Sequence, residues 1–190
     1  MRWTLYDAGI YESVAPNRFG KTFNQAVGAW KAYLHGMKVL CNCPVDPSNG
    51  KVEHILNFPH TDYDPYQLVF LDLSNCYVIT DEAGQVMDAR VCAKKDIRQL
   101  GYFNYQAKKR DISWHFDTVR DKNIDPRIRL NPDYVLYAHR IPKDWHQPLR
   151  MIRIRMDYDG GTAWFTFKRP WEYFPIYNHK TMIRPRPENA

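Results

Sequence analysis

The sequence predicts a three-layer α/β fold with a mainly parallel sheet and an antiparallel hairpin extension at its C-terminal side. Two observations support this fold class. Through the first two-thirds of the 190 residues, short apolar runs alternate with a helical pattern, an order typical of parallel sheets. Nearer the C-terminus, apolar and polar residues alternate strictly on either side of Asp159-Gly160-Gly161, which is typical of a hairpin.

The individual elements follow from these patterns. Between residues 21 and 34, Phe23, Ala26, Val27 and Trp30 recur at helical spacing, and Gly36 follows as a helix-terminating glycine would. Helical patterns also cover residues 51–58 and 93–109. Apolar runs predict strands at 10–15, 37–43, 67–73, 76–80, 112–116 and 134–139, and the hairpin strands at 151–157 and 162–168.

The composition is that of a folded, mildly basic protein. Hydrophobic residues make up 44% and aromatic residues 15% of the chain, which excludes disorder. The 27 Lys and Arg against 21 Asp and Glu leave a net charge of +6, which permits a polyanionic partner such as DNA. No apolar run approaches the roughly 20 residues of a membrane span, and the N-terminus lacks the apolar core of a signal peptide. We therefore expect a cytoplasmic protein without a membrane span.

A chain of this length is expected to form one domain, because it buries roughly 70% of its unfolded surface around a single core. We place that domain at residues 1–183, with a core at 10–140, a hairpin-rich extension at 141–183 and a flexible tail at 184–190. The cysteines are Cys41, Cys43, Cys76 and Cys92. Their C-x-C pair has neither a second pair nor a His-x-His after it, so the spacing predicts no zinc site.

Residues 15–22 read APNRFGKT and fit the phosphate-binding pattern [AG]-x4-G-K-[ST]. In such a loop successive backbone N–H groups surround the β-phosphate, and the following helix N-terminus adds its positive end. The alternative is an ordinary loop with a solvated Lys21. The apolar strand before the loop and the amphipathic helix after it favour phosphate binding. The predicted nucleotide-binding residues are Ala15, Pro16, Asn17, Arg18, Phe19, Gly20, Lys21 and Thr22.

An apolar strand ends in two adjacent carboxylates, Asp81 and Glu82. In phosphate-loop ATPases the first acid holds Mg²⁺ and the second polarises the attacking water. The alternative is a β-hairpin, in which residues 80–85 form a turn between 77–79 and 86–87. With a phosphate loop upstream in the same domain, we favour the acidic pair. Asp72 is the second-ranked candidate for the Mg²⁺-holding acid, because no acid follows it.

Taken together, these segments resemble the additional-strand P-loop ATPases of the FtsK/HerA division. The resemblance covers residues 10–140: the phosphate loop with its helix and second strand, the segment CYVITDEAGQVMDAR, and the segment KKRDISWHFDTVRDKNIDPRIRLNPDYVLYAHR. Small members of this division include viral genome-packaging ATPases and the zonula-occludens-toxin-like assembly ATPases of filamentous phages. The resemblance therefore implies a P-loop NTPase fold, with ATP and Mg²⁺ as substrate and cofactor.

The resemblance also assigns roles to individual residues. Lys21 would bind the β- and γ-phosphates, Thr22 and Asp81 would hold Mg²⁺, and Glu82 would position the attacking water. Thr118 ends the strand that carries the γ-phosphate sensor, but Val119 stands where the family has Gln, so Asp117, Thr118 or Arg120 would have to substitute. The trans-acting arginine falls near Lys108, Lys109 and Arg110; Arg110 is the catalytic candidate, with Arg127 and Arg129 as alternatives.

By the same resemblance, the expected function is ATP hydrolysis coupled to packaging of double-stranded viral DNA. The expected partners are further copies of the chain in a ring and a capsid or portal protein. The protein would then act in the host cytoplasm or with the virion. One alternative is an assembly or extrusion ATPase of the filamentous-phage type. The other is a non-catalytic basic module that binds DNA or protein.

Three further groups of residues were considered as sites. His54, His60, Asp62 and Asp64 could suggest a metal, but no regular spacing brings them together, and we interpret them as exposed loop polarity. Trp114, Trp145, Trp164 and Trp171 could stack on bases, although we expect them to cover a core. Arg150, Arg153 and Arg155 alternate with apolar residues and form either a solvated edge or a wall that faces DNA.

Overall fold

Eight strands form one sheet in the computed structural model, which describes residues 4–44, 50–91, 95–144 and 146–178. Their order in the sheet is β3-β2-β4-β5-β1-β6-β7-β8. The strands are β1 (Gly9–Val14), β2 (Lys38–Cys41), β3 (Thr61–Asp62), β4 (Cys76–Thr80), β5 (Ile112–Thr118), β6 (Tyr134–Ile141), β7 (Met151–Tyr158) and β8 (Gly161–Phe167).

The sheet is parallel from β3 to β6 and antiparallel from β6 to β8. All residues of β4 and β5 are buried, whereas burial in β6 alternates along the strand. A parallel strand covered by helices on both faces buries every side chain, and a strand with one open face buries every second one. The predicted fold class, a mainly parallel sheet with a C-terminal antiparallel hairpin, is confirmed.

Four α-helices and five 3₁₀-helices connect the strands within the described residues. The α-helices are α1 (Lys21–Leu34), α2 (Ala83–Val86), α3 (Lys95–Ala107) and α4 (Pro126–Arg129). The 3₁₀-helices are Pro65–Phe70, Ala89–Val91, Lys108–Arg110, Asp121–Asn123 and Pro170–Ile176. α1 has the bounds that its apolar pattern predicts, and Gly36 after it has a left-handed φ of 81°, which glycine adopts readily.

Two apolar clusters cover the two faces of the sheet and make the three layers. On one face Phe23 and Val27 of α1 pack in one cluster with Tyr77 of β4 and Ile154 of β7. The other cluster joins α3 to β5, where the ring of Phe103 meets Trp114 edge-on at 5.2 Å. Because β7 belongs to the first cluster, the C-terminal extension shares its core with the phosphate-loop helix.

Two sequence predictions were wrong. Residues 51–58 form no helix, because their backbone pairs with the C-terminal segment: Asn57 N–H donates to Ile176 O (2.9 Å), and Asn178 N–H donates to Ile55 O (2.7 Å). The predicted strand at 67–73 is a 3₁₀-helix over most of its length. Asp64 caps that helix by accepting from Tyr66 N–H (3.0 Å), which ends extended structure there.

The tail predicted at 184–190, Cys92 and Trp145 lie outside the described residues. In the part of the chain that the structure describes, no helix combines the length and apolar character that a bilayer crossing requires.

Candidate nucleotide-binding site

Residues 15–20 lead from the carboxyl end of β1 to the first turn of α1 as a tight loop. Phe19 N–H donates to Pro16 O (3.3 Å), and Asn24 N–H donates to Gly20 O (3.0 Å). Gly20 has a φ of 101°, and a Cβ there would lie 3.3 Å from the Ile152 side chain. Both the backbone conformation and the approach of β7 therefore require glycine at this position.

Lys21 is buried at the start of α1, although its side chain carries a charge. Only 6% of its surface is exposed. Its Nζ donates to Asn17 Oδ1 (3.3 Å) and lies 3.9 Å from Asp117 Oδ2. A buried ammonium group needs anionic partners, and this one points into the loop that would surround a phosphate.

Asp81 follows β4 and faces the first turn of α1. Its Oδ1 accepts a hydrogen bond from Thr22 Oγ1 at 3.3 Å. Burial, with a further contribution from the charge of Glu82, raises the pKa of Asp81 to about 7. Asn42 anchors the Asp81 backbone from β2, because its Oδ1 accepts from Asp81 N–H (2.7 Å) and its Nδ2 donates to Asp81 O (3.0 Å).

Glu82 begins a helix and does not form the tip of a hairpin. It has a left-handed φ of 51° and precedes α2, and β4 pairs in parallel with β2 and β5. The hairpin alternative is therefore wrong, because residues 86–87 form no return strand. Asp72 is exposed before the amino end of β4, at the opposite end of the strand from Asp81, so the structure does not place it in the site.

At the end of β5, Asp117 faces the site and Thr118 does not. Asp117 is 1% exposed, and its Oδ1 accepts from Glu82 N–H. Burial, together with the charge of Asp81, raises the pKa of Asp117 well above its usual range. The Thr118 hydroxyl donates to Arg120 O (2.8 Å) in its own turn. Of the three sensor substitutes that the sequence leaves open, Asp117 is the one beside Lys21.

Gln25 is a site residue that sequence reasoning missed. It is fully buried, one helical turn after Lys21. In the amide orientation that satisfies both ends, its nitrogen donates to Asp81 Oδ1 (3.0 Å) and its oxygen accepts from Asp117 N–H (3.3 Å). The spacing from Lys21 places Gln25 on the same face of α1, but nothing in the sequence indicates which strands this face meets.

A cavity of about 580 Å³ joins these groups. One wall is the loop from Asn17 to Gly20 with the start of α1, and another is Asp81 with Glu82. The C-terminal extension supplies the remaining wall, which consists of Arg140, Leu149, Ile152, Phe174, Tyr177 and Asn178. Half of the cavity thus comes from residues that no phosphate-binding motif contains.

Arg140 stabilises the extension wall. It is 8% exposed, and its guanidinium donates to Pro142 O (2.6 Å), Asp144 O (2.7 Å) and Gln147 O (2.6 Å). These three bonds hold the loop between β6 and β7 against the cavity. Sequence reasoning missed this residue, because a single arginine in a strand carries no motif.

The arginines considered for a trans-acting role lie away from the cavity. Arg110 ends a 3₁₀-helix before the amino end of β5, and its Nη1 donates to Leu71 O (3.4 Å). Arg127 pairs with Asp125 (2.7 Å). Because the cavity opens at the carboxyl ends of the strands, Arg110 could reach a triphosphate only on a neighbouring subunit.

The site residues fit a magnesium ion. Mg²⁺ prefers oxygen ligands, and the Asp81 carboxylate and the Thr22 hydroxyl lie together at the cavity wall. The raised pKa values of Asp81 and Asp117 show excess negative charge in a desolvated place, which a divalent cation would relieve.

A second polar cluster lies beside this site and corrects an expectation. Cys43, His54, His60 and Asp62 converge, with one ligand atom of each within 4.8 Å of every other. Interpreting the histidines and Asp62 as unconnected loop polarity was wrong, because the fold of the loop brings them to the residue after Asn42. Asp64 is not part of this cluster and caps the 3₁₀-helix described above.

The tryptophan prediction holds for Trp114 and fails for two others. Trp114 is fully buried, whereas Trp164 is 50% and Trp171 49% exposed. Trp164 lies on the open face of β8 under the Arg153 guanidinium, whose Cζ is 4.5 Å from the ring centroid. Arg155 lies similarly over Tyr137 at 4.4 Å. This cationic face is therefore stacked on aromatic rings.

Comparison of the sequence with protein-family models finds no match, and comparison with curated proteins finds none. Among solved structures, the N-terminal domain of zonular occludens toxin from Neisseria meningitidis has a TM-score of 0.64 at 15% identity, over 90% of this chain and 100% of that one. An ATPase domain has a TM-score of 0.58 at 9% identity, over 93% and 86%.

The genome packaging NTPase B204 from Sulfolobus turreted icosahedral virus 2, in complex with ATP-gammaS, has a TM-score of 0.50 at 12% identity, over 85% of this chain and 97% of that one. These likenesses agree with the sheet order and the loop between β1 and α1. The chain therefore has the fold of the P-loop NTPases.

Proposed function

We propose that this protein is an ATPase that moves nucleic acid, with double-stranded viral DNA as its cargo. The observation that supports ATP hydrolysis most directly is the convergence of Lys21, Thr22, Asp81 and Glu82 on one cavity, although they come from two separate segments of the chain. The fold shared with a genome packaging NTPase supports the motor function.

In this proposal the loop and Lys21 bind the triphosphate. The N–H groups at the start of α1 and the Lys21 ammonium contact the β- and γ-phosphates, while Asn17 holds Lys21 in place. Thr22 and Asp81 would hold Mg²⁺, which neutralises charge on the phosphate oxygens when bound. Glu82, half-buried at the cavity wall, orients the attacking water and accepts its proton.

Asp117 is the group we propose to sense the γ-phosphate in place of the family's Gln. It contacts both the Lys21 ammonium and the Glu82 backbone. A change in the position of Lys21 on hydrolysis would therefore be transmitted to the catalytic carboxylate and along β5. Thr118 keeps its predicted place at the strand end, but its hydroxyl faces the turn.

The extension wall suits the nucleobase end of ATP. Phe174 and Tyr177 bring aromatic surface to the cavity, and Leu149 and Ile152 add aliphatic surface. Aromatic rings stack on bases with little preference among them, so this wall supports binding of a purine nucleotide but does not explain a choice of adenine.

For the motor we propose a ring of identical subunits in which Arg110 acts on the neighbour's triphosphate. The stacked face of Arg153, Arg155, Tyr137 and Trp164 is the candidate surface for DNA, because it presents cations held over aromatic rings. A capsid or portal protein would anchor such a ring.

Nucleotide binding and turnover of purified variants test the proposal. Mg-ATP at a hundred times its Kd should stabilise the wild type by roughly 2.7 kcal/mol, visible as a melting shift. Lys21→Ala should lose both the shift and phosphate release. Glu82→Gln should keep the shift and lose phosphate release. The matched control is Lys38→Ala, an exposed lysine at the amino end of β2. Undiminished phosphate release in both variants would refute the assignment.

A second candidate function is assembly or extrusion of filamentous phage, favoured by the full-length alignment with the zonular occludens toxin domain. DNA distinguishes the two. A packaging motor should hydrolyse ATP faster when double-stranded DNA is added, whereas an assembly motor should respond to a protein partner.

A further inference from the structure

Beside the nucleotide cavity, four side chains with metal-binding atoms meet at the end of β2. Cys43 follows this strand, His54 lies in the loop that comes back to it, and His60 and Asp62 lie at β3. We call this group the Cys43 cluster. It contains a sulfur, two imidazole nitrogens and a carboxylate, a ligand set found in tetrahedral zinc sites.

The distances within the cluster match a tetrahedron. His60 Nε2 lies 3.4 Å from Cys43 Sγ, 3.2 Å from His54 Nδ1 and 3.2 Å from Asp62 Oδ1. His54 Nδ1 lies 3.5 Å from Asp62 Oδ1. With zinc bonds of about 2.0–2.3 Å, the edges of a tetrahedral site measure about 3.3–3.6 Å. Four of the six edges therefore have nearly the required length.

The surroundings of the cluster orient its ligands. His60 Nδ1 lies 2.7 Å from Phe58 O, a carbonyl that can only accept, so the neutral ring carries its proton on Nδ1 and turns its Nε2 lone pair toward the other ligands. Cys43 Sγ accepts from Ile55 N–H at 3.4 Å, a bond that stabilises a thiolate. Both contacts are of the kind that supports metal ligands.

We propose that Cys43, His54, His60 and Asp62 bind one Zn²⁺ ion. Magnesium and calcium are disfavoured, because both prefer ligand sets made of oxygen. The exposure of His54, whose side chain is 54% accessible, leaves a path for the ion to enter.

The ion would have a structural role. It would tie the end of β2 to residues 50–62, most of which have no helix or strand of their own. This loop pairs with the C-terminal segment through Asn57 and Ile55, and the same segment carries Tyr177 and Asn178 of the nucleotide cavity. Zinc would therefore stabilise the wall on which the nucleobase end of ATP is proposed to lie.

Metal content and affinity of the whole chain test the site without any measurement of turnover. Protein purified without chelator should carry one zinc ion per chain by elemental analysis. Replacement by Co²⁺ should give the intense visible bands of a tetrahedral site together with sulfur-to-cobalt charge transfer. Cys43→Ser should remove the charge-transfer band and lower zinc affinity at least tenfold.

Two more variants complete the experiment. His54→Gln changes the most exposed ligand, so it should fold even if Cys43→Ser does not, and it should also lose at least tenfold in zinc affinity. Asp64→Asn is the control, because it alters a carboxylate two residues from Asp62 that caps a helix, a role asparagine retains. Its zinc affinity should be unchanged. Wild-type protein that binds no stoichiometric zinc, or equal affinity in His54→Gln and wild type, would overturn the proposal.

Discussion

The nucleotide cavity and the Cys43 cluster lie side by side at the carboxyl end of the parallel strands, yet they are built differently. The charged groups of the cavity lie almost entirely beneath the surface: Lys21 is 6% and Asp81 5% exposed. In the Cys43 cluster His54 is 54% and Asp62 36% exposed. The cavity groups follow two strand ends, whereas the cluster gathers ligands along an irregular loop.

This difference shows what each place demands of the chain. In the cavity, burial makes every charge costly, so hydrogen bonds from Asn17, Asn42 and Gln25 must hold the groups before a ligand arrives. In the cluster, solvent supports the ligands and the loop needs only to bring them within reach. Asn42 and Cys43 are neighbours in sequence and link the two places.

The largest effect is expected from Asn42→Leu, which tests how far the two places are independent. The variant leaves the buried N–H and C=O of Asp81 without their partners, which should lower the free energy of unfolding by about 2–4 kcal/mol. Urea unfolding measures this. The control, Asn57→Ala, removes one exposed bond and should cost less than about 1 kcal/mol. If zinc affinity falls as far as nucleotide affinity, the two places form one unit.

A second prediction concerns the floor of the cavity, where His115 bonds Ser13 (2.7 Å) and Tyr77 (2.7 Å) and lies against the ring of Tyr11. Burial lowers the pKa of His115 to about 3. Because the unfolded chain binds this proton near pH 6.5, stability is present above that pH and is lost as pH falls toward 3. Between pH 7 and pH 5 the loss should be about 2 kcal/mol.

Unfolding of His115→Gln at both pH values checks this. The variant should be less stable at pH 7 but lose about 2 kcal/mol less between the two pH values. His35→Gln, which changes an exposed histidine, should keep the wild-type dependence. An unchanged dependence in His115→Gln would show that another group causes the acid sensitivity.

A third prediction sharpens the choice of sensor. Asp117→Asn removes the anion beside Lys21 and should lower kcat about tenfold, equivalent to about 1.4 kcal/mol. Thr118→Val, one residue along β5, loses a bond to its own turn and should have a smaller effect on kcat. Steady-state phosphate release compares them. A larger loss in Thr118→Val would return the sensor role to the strand end that the family resemblance indicates.

The smallest effect is expected on the open face of β7, outside both places. Arg153→Ala removes one cation from the proposed DNA surface, so the dependence of log affinity on log salt concentration should become shallower by about one. Fluorescence anisotropy of a labelled duplex at several salt concentrations measures the slope. Arg169→Ala, an exposed arginine paired with Glu172, is the control. Equal slopes in the two variants would remove this face from the DNA proposal.

Sequence reasoning reached the strands and helices whose residues pack against neighbours in a regular pattern. It placed α1 at its observed bounds and found the hairpin of β7 and β8, because in both the apolar spacing matches the period of the backbone. It failed at residues 51–58 and 67–73, where apolar residues lie in loops. There, pairing with the distant segment 176–178 and the cap at Asp64 decided the backbone.

The candidate site divides in the same way. The positions of Lys21, Thr22, Asp81 and Glu82 could be predicted, because phosphate and metal chemistry require those residue types at short spacing after a strand. Asn42, Gln25, Asp117 and the extension wall could not be assigned in advance, because their roles depend on which strands become neighbours and on the direction in which each side chain points.

By itself, then, the amino-acid order determined a parallel α/β core, a phosphate-binding loop and a pair of acids at a strand end, since each depends on residues close together along the chain. Only the tertiary structure decided that Asp117 faces Lys21, that the C-terminal extension closes the cavity, and that Cys43 meets two histidines and an aspartate. Those contacts join residues far apart in the chain, and the packing of the whole sheet, not local spacing, sets the distances between them.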